Sequence, residues 1–322
     1  MENSKVLVIL GNGHNLGMTL RTTYADFAKH YLSDPEKYPN SKLYNHLYSS
    51  FQNAKNSNLL WSDMENEILR FAISEDWKRC NIQEEYDFFE HLRTNLGFYM
   101  DGEAKYKLLG GLYNAIEVIN DSYSIMNTLP VVLLRLMLLQ NKKYDIISFN
   151  YSCLEYILYK IASEIHGINN TQPFSNDRVV SFYKERINLN YVHINGTKCV
   201  LGTHNDNSIP DAFSFVKKVT QISNAHGYPE KYSQYKSIII YGHSMGECDS
   251  DFVKVLFKEI LTRSKRYNPK LIFVINKDKS QIYDNLTHIL RVKQKTIDKH
   301  VLISFINVEK NSSKKLLRHS LI

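Results

Sequence analysis

Paired cysteines, long hydrophobic runs and a leader segment are all missing from this sequence. The four cysteines among its 322 residues form no Cys-x-x-Cys pair, which indicates neither a zinc ribbon nor a disulfide framework. The most apolar stretch, Leu129 to Leu139, is too short to span a bilayer and contains Arg135. The first ten residues, MENSKVLVIL, lack the basic start and the small-residue cleavage site of a signal peptide. We therefore expect a cytoplasmic protein with no membrane partner and no metal.

The charges form no obvious surface for nucleic acid. The net charge is +7, but 33 carboxylates are mixed among the 40 basic residues. Only the segment from Lys310 to His319 is locally basic, and we expect it to be a solvated tail. A nucleic-acid partner is therefore not expected. The length allows roughly two domains, or one domain with a sizeable insertion.

Short apolar runs recur along the chain, and helical patterns lie between most of them. We predict strands at Val6 to Leu10, Tyr144 to Phe149, Tyr191 to Ile194, Ser237 to Tyr241, Leu271 to Ile275 and Val301 to Ile306. This alternation predicts an α/β fold, with a mainly parallel sheet covered by helices on both faces. Ligands of such sheets bind at the carboxyl ends of the strands.

The gap between the first two predicted strands is almost wholly helical. We predict helices at Lys42 to Phe51, Trp61 to Ser74, Ile82 to Asn95 and Glu103 to Gln140, the last with a break at Pro130. The sequence thus predicts a helical insertion over residues 40–140 and a core built from residues 1–39 and 141–322. Residues 166–190 and 203–236 are either a lid over the ligand crevice or surface structure.

The first strand runs directly into a glycine-bracketed turn formed by Gly11, Asn12 and Gly13, with Asn15 and Gly17 beyond it. Glycine permits positive φ and close approach of a ligand, and free N–H groups at a helix start suit a phosphate or ribose oxygen. The spacing is GxGxxxG and not the GxGxxG dinucleotide fingerprint. A plain strand-to-helix turn is therefore the alternative interpretation.

Polar and small residues follow three further strands. They are Asn150, Tyr151 and Glu155 after the second strand, His193, Asn195 and Gly196 after the third, and Gly242, His243, Ser244 and Asp249 after the fourth. Because the carboxyl ends of parallel strands meet at one edge of a sheet, we expect these residues to surround a common crevice.

Six ordered motifs resemble those of the AbiH bacteriophage abortive-infection family. They are GNGHNL, TTYADF, WSDMENE, SFNYSCLE, VHINGT and GHSMGECDSD, and they extend from Gly11 to Asp251. That family is similar to the sirtuin-like NAD-binding proteins of bacterial defence. The resemblance implies a sirtuin-like Rossmann core, binding of NAD, cleavage of its nicotinamide–ribose bond, and a role in arresting infected cells.

The resemblance also implies roles for single residues. It places Gly11 to Gly13 at the phosphates and ribose of NAD, and Asn150 beside the glycosidic bond that breaks. Asn15 stands where relatives commonly have aspartate, which puts a charge-dependent role there in doubt. Tyr151, Glu155, Gly196, Gly242, Ser244 and Asp249 complete the predicted NAD site.

The catalytic base is the main departure from the sirtuin-like pattern. The position of the catalytic histidine is Asn195 here, and asparagine cannot act as a general base near neutral pH. His193, two residues earlier on the same face of the predicted strand, and His243 are the other candidates. The substitution leaves three outcomes open, which are slower hydrolysis, a base located elsewhere, or a binding site without turnover.

Several other interpretations compete with an NAD glycohydrolase. The main one is a non-catalytic nucleotide-binding sensor or interaction module, and a phage-derived trigger and a homo-oligomer also remain open. A true deacetylase is disfavoured because the four-cysteine zinc module is missing. A hydrolase triad built on Ser244 and a Mg²⁺-dependent nuclease built on Asp249 and Asp251 lack the required partners. Asp249 and Glu65 have structural alternatives, since either residue can cap its own helix.

Overall fold

The computed structural model describes residues 5–18, 20–21, 23–34, 36–56, 64–109, 128–140, 142–150, 154–168, 176–192, 194–195, 198–205, 207–221, 232–262, 270–275 and 279–307. In chain order its helices and strands are β1 (Lys5–Leu10), α1 (Asn12–Gly17), α2 (Tyr24–Tyr31), α3 (Lys42–Asn56), α4 (Met64–Ile73), α5 (Ile82–Leu109), α6 (Leu129–Leu139), β2 (Tyr144–Ser148), α7 (Glu155–Ile165), α8 (Asp177–Lys184), β3 (Ile187–Tyr191), β4 (Ile194–Asn195), β5 (Lys198–Cys199), α9 (Lys218–Gln221), β6 (Tyr235–Tyr241), α10 (Ser250–Thr262), β7 (Lys270–Ile275), α11 (Lys279–Leu290), α12 (Gln294–His300) and β8 (Leu302–Asn307). Short 3-10 turns precede α5, α9, β6 and α10.

Six strands form one all-parallel sheet in the order β3-β2-β1-β6-β7-β8. From β1 the chain adds β2 and β3 on one side, and then β6, β7 and β8 on the other. The order therefore reverses between β1 and β6. In open α/β sheets this reversal marks the place where ligands bind, at the carboxyl ends of the strands.

The central strands are apolar on both faces because helices cover both sides of the sheet. Val8 and Leu10 of β1 pack into one hydrophobic cluster with α6, α7 and α8. Leu7 and Ile9 pack into another cluster with α10, α11 and α12. The alternating side chains of one strand thus supply two separate cores.

Helices α2 to α5 build a third hydrophobic cluster of their own. Phe27, Leu47, Ile68 and Phe89, one from each helix, pack there together with Phe213 from the chain after β5. Helix α6, by contrast, packs into a cluster of the sheet. We name the α2 to α5 layer the helical layer. The division into residues 40–140 and the rest stays a prediction.

Five of the six predicted long strands are confirmed within two residues, but the third is wrong. The sequence predicts it at Tyr191 to Ile194, whereas β3 covers Ile187–Tyr191 and pairs with β2 from Ile187↔Tyr144 to Tyr191↔Ser148. Strand β3 lies at the edge of the sheet and is mostly only half-buried. Its polar Asn188 and Asn190 are tolerated there, and they hide the strand from a search for apolar runs.

The boundary predicted after Asn95 is also wrong, because α5 is one helix of 28 residues. Buried Leu92, Leu96 and Met100 continue its apolar stripe past that point into the helical layer. The free energy gained by burying these side chains outweighs the cost of about 1 kcal/mol for each glycine within α5. The break at Pro130 is confirmed, since Pro130 lies in the first turn of α6. None of the helices that are described is long and apolar enough to cross a membrane.

Candidate functional site

The glycine-bracketed turn after β1 packs directly against the end of β6. Gly11 N–H donates to the Tyr241 carbonyl at 2.9 Å, and Gly13 N–H donates to the Gly242 carbonyl at 3.0 Å. A Cβ on Gly13 would lie 2.6 Å from Gly242 Cα, and Gly242 itself has φ of +63°. The prediction that the N–H groups of Gly11 and Gly13 are free for a phosphate is therefore wrong. These glycines instead allow two strand ends to approach each other closely.

His14, which follows this turn, is fully buried against Tyr241, with ring centroids 5.3 Å apart. Neither ring nitrogen, nor the Tyr241 hydroxyl, has a hydrogen-bond partner of good geometry among the described residues. Burial lowers the pKa of His14 to about 4, although Asn15 beside it opposes part of this shift. His14 is therefore neutral near pH 7. Its motif, GNGHNL, marks the residue in the sequence, but no local signal predicts its burial.

Asn150 lies two residues beyond the end of β2 and is completely buried. Its backbone N–H donates to Ser148 Oγ at 3.3 Å. Neither the oxygen nor the nitrogen of its side-chain amide has a partner within the described part of the chain. Leaving a buried polar group unpaired costs about 1–3 kcal/mol, so such groups usually have a structural or functional explanation. The sequence correctly placed Asn150 at the carboxyl edge of the sheet.

His243 follows β6 and is buried, with its ring centroid 4.3 Å from that of Phe149. Its Nδ1 accepts the Met245 N–H at 2.9 Å, and its Nε2 lies 3.4 Å from Asp249 Oδ2. Because Nδ1 accepts, the proton of the neutral ring lies on Nε2, towards the carboxylate. Nδ1 is thus engaged with the backbone, whereas Nε2 faces Asp249 without a hydrogen bond of good geometry among the described residues.

Lys218 connects Asp249 to the helical layer through a buried ion network. Its Nζ lies 2.8 Å from Asp249 Oδ1 and 3.0 Å from Glu65 Oε1. Burial by itself lowers the pKa of Lys218, but the two carboxylates outweigh it, so the pKa is raised. Glu65 also accepts the Gly202 N–H at 3.3 Å. Lys218 was not among the predicted site residues, because nothing in the sequence around it indicates burial.

The carboxylates of this network reach beyond their own helices. Asp249 precedes α10, but its carboxylate pairs with Lys218 and faces His243. Glu65, in the first turn of α4, likewise extends to Lys218 and Gly202. Both side chains therefore join segments that are distant in the sequence. Ser62, the proposed capping partner of Glu65, lies outside the described residues.

Of the site residues predicted around the third strand, Asn195 lies in the described part of the chain. Asn195 belongs to β4 and pairs with Lys198 in a separate two-stranded antiparallel sheet. The predicted placement of Asn195 in the third long strand is thus wrong, because that strand ends at Tyr191. His193, Gly196 and Tyr151 lie outside the described residues.

The other predicted site residues lie at separate places in the structure. Asn12 and Glu155 begin α1 and α7, and Asn15 is buried. Ser244 is exposed, and its carbonyl accepts the Asn285 side chain at 2.8 Å. The structure thus gathers the glycine turn, Gly242, His243 and Asp249 at one edge, and Phe149 links them to Asn150.

A family model described as bacteriophage abortive infection AbiH matches residues 7–269. The chain belongs to the AbiH family. The matched region contains the glycine turn, Asn150 and the whole His243–Asp249–Lys218–Glu65 network of this AbiH chain. A search of curated proteins found no match. Among the described residues of the AbiH chain, no group of three or more His, Cys, Asp and Glu side chains is arranged to hold a metal ion.

Proposed function

We propose that this AbiH protein acts in phage abortive infection by binding NAD at the carboxyl edge of its sheet and cleaving the nicotinamide–ribose bond. The family description supports the defence role. The single observation that carries the ligand site is the completely buried Asn150 amide, which has no partner within the described part of the chain.

The strand order supports a dinucleotide as the ligand. Counted within the main sheet, the order 3-2-1-4-5-6 is that of Rossmann folds, which bind dinucleotides where the strand order reverses. Gly11 at the end of β1 and Gly242 at the end of β6 meet at this reversal. A sirtuin-like Rossmann core is therefore part of the proposal.

Asn150 suits the sugar end of NAD better than its phosphates. Its amide offers both a donor and an acceptor without charge, which matches a ribose hydroxyl or an attacking water. The N–H groups of Gly11 and Gly13 are already used within the protein, so they offer little to a phosphate. We therefore place the ribose and the glycosidic bond, and not the pyrophosphate, beside the glycine turn.

The reaction requires stabilisation of positive charge on the ribose as the glycosidic bond breaks. Asn150 would orient the ribose or water, and burial of the site would exclude stray solvent. Asp249 and Glu155 are the carboxylates that we propose for electrostatic stabilisation. His193 stays the proposed base, because the Nδ1 of His243 already accepts the Met245 N–H.

A non-catalytic NAD sensor is the second candidate function. The specific observation that favours it is the arrangement of His243, whose two ring nitrogens face Met245 N–H and Asp249. The presence of Asn195 at the position of the sirtuin-like catalytic histidine also favours a sensor. In that case a phage-derived trigger or a homo-oligomer would convert binding into a signal.

The test measures NAD affinity by calorimetry and nicotinamide release by chromatography for the wild type, Asn150→Leu and Asn188→Leu. Because the Asn150 amide has no described partner, its replacement by leucine should not lower the melting temperature. We expect Asn150→Leu to weaken NAD binding at least about tenfold and to abolish turnover. Asn188, whose side chain bonds Asp145 near the start of β3, is the matched control and should behave as the wild type.

The two candidate functions give different results in this test. Binding that depends on Asn150 without any nicotinamide release supports the sensor and rejects the glycohydrolase. Equal binding by the wild type and Asn150→Leu would remove Asn150 from the site. No NAD binding by the folded wild type would overturn both proposals.

A further inference from the structure

A cavity of about 720 Å³ lies between the chain around Asn205 and helices α10 and α11, outside the proposed NAD site. It contains neither Asn150 nor any residue of the glycine turn. Its volume falls within the range of about 300–1,000 Å³ that is usual for small-molecule sites. The cavity is therefore large enough for a ligand of nucleotide size.

One face of α10 supplies much of the cavity wall. Ser250, Lys254 and Lys258 are spaced four residues apart, so they lie on the same side of the helix and line the cavity together. Lys254 and Lys258 are exposed, and Arg291 after α11 adds a third positive charge. Glu247 is the only carboxylate among the lining residues described. The lining is therefore net positive.

Ser250 is the feature that points to a bound group. It begins α10, is 3% exposed, and its Oγ has no hydrogen-bond partner among the described residues. Ser250 also stands at the start of the 13-residue helix α10, at the positive end of the helix dipole. A buried hydroxyl beside a helix start and cationic side chains matches an anion such as phosphate.

The opposite wall is held in place by a backbone contact. Asn205 N–H donates to Asp251 Oδ2 at 3.1 Å, which fixes this part of the chain against the first turn of α10. The Asp251 carboxylate is thereby used in shaping the wall. The chain around Asn205 is thus tied to the first turn of α10.

We propose that this cavity binds a phosphate-bearing ligand of nucleotide size. The Ser250 hydroxyl donates to a phosphate oxygen, and Lys254, Lys258 and Arg291 neutralise the phosphate charge. This proposal does not depend on NAD binding at Asn150.

The test uses calorimetric titration of the full chain with inorganic pyrophosphate, ADP and adenosine. We expect pyrophosphate and ADP to bind and adenosine not to bind, and tighter binding of ADP would identify the ligand as a nucleotide. Ser250→Ala should weaken pyrophosphate binding at least about fivefold without lowering the melting temperature, because the hydroxyl has no described partner to lose. Lys254→Glu/Lys258→Glu should abolish binding.

Two controls separate this site from general electrostatics and from the NAD site. Lys295→Glu/Lys299→Glu changes the same charge at two exposed lysines, also four residues apart, and should leave pyrophosphate affinity within about twofold. Asn150→Leu should bind pyrophosphate as the wild type does. The proposal fails if the wild type does not bind pyrophosphate, if adenosine binds as well as ADP, or if both lysine pairs have equal effects.

Discussion

Burial determines the chemistry of the polar residues at the carboxyl edge of the sheet. His14 and Asn150 are both fully buried, and no side-chain nitrogen or oxygen of either has a good partner among the described residues, whereas the Nδ1 of His243 accepts the Met245 N–H. A residue that lacks partners has capacity left for a ligand, and one that has partners mainly positions its neighbours. This contrast favours Asn150 over His243 as a ligand-binding residue.

The low pKa of His14 predicts a loss of stability in acid. The folded protein holds this pKa at about 4, against 6.5 when unfolded. Between these values only the unfolded chain binds a proton, so the free energy of unfolding falls as the pH falls from 6.5 towards 4. The loss from this residue amounts to about 2 kcal/mol at about pH 5. Urea titrations of His14→Leu should lose about 2 kcal/mol less than the wild type between about pH 7 and pH 5.

Each protein is compared with itself at the two pH values, so a general change in stability caused by the leucine does not affect the result. An equal loss in the wild type and in His14→Leu would mean that His14 is accessible to protons in the folded state. The same result would mean that burial does not hold His14 neutral in the site.

Close packing between elements explains the glycines of the first turn. Gly13→Ala would place a methyl group 2.6 Å from Gly242 Cα, a backbone atom that cannot move without shifting the end of β6. We expect a loss of about 1–3 kcal/mol in the free energy of unfolding, measured by urea titration. The control is Gly102→Ala in α5, where an added Cβ meets nothing within 4 Å. That variant should gain about 0.5–1 kcal/mol.

These two glycine variants separate packing from ligand binding. If Gly13→Ala keeps its stability but loses NAD affinity, the glycine serves ligand approach, as the sequence alone suggested. If it loses stability in the absence of NAD, the contact between β1 and β6 accounts for the glycine.

The buried ion network holds the helical layer against the sheet at the scale of the whole molecule. Lys218→Met would leave the buried Glu65 and the half-buried Asp249 without their cation. We expect a loss of about 3–5 kcal/mol in the free energy of unfolding, because an uncompensated buried charge is strongly destabilising. The neighbouring Lys217→Met, which leaves the network intact, should change stability by less than about 0.5 kcal/mol.

Thermal melts monitored by near-ultraviolet circular dichroism would follow this loss through the buried tyrosines. Similar melting temperatures for Lys218→Met and Lys217→Met would show that the carboxylates find other partners or become protonated. The network would then contribute little to joining the two parts of the molecule.

Local patterns in the sequence determined the α/β class, five of the six long strands and the start of α6. They did so because central strands need continuous apolar runs, and because proline favours the first helical turn. The ordered motifs likewise indicated the AbiH family and placed Asn150, His243 and Asp249 at strand ends. The edge strand β3 escaped prediction because its half-buried positions accept polar residues.

Only the tertiary structure decided which polar groups have partners. Glu65 and Lys218 meet across 153 positions of sequence, a contact that no local spacing encodes. The close approach of Gly242 requires a glycine at Gly13, and the ring of Tyr241 covers His14. Both requirements come from an element that is distant in the chain. Hydrophobic periodicity is a local property, whereas burial and pairing depend on how the elements pack.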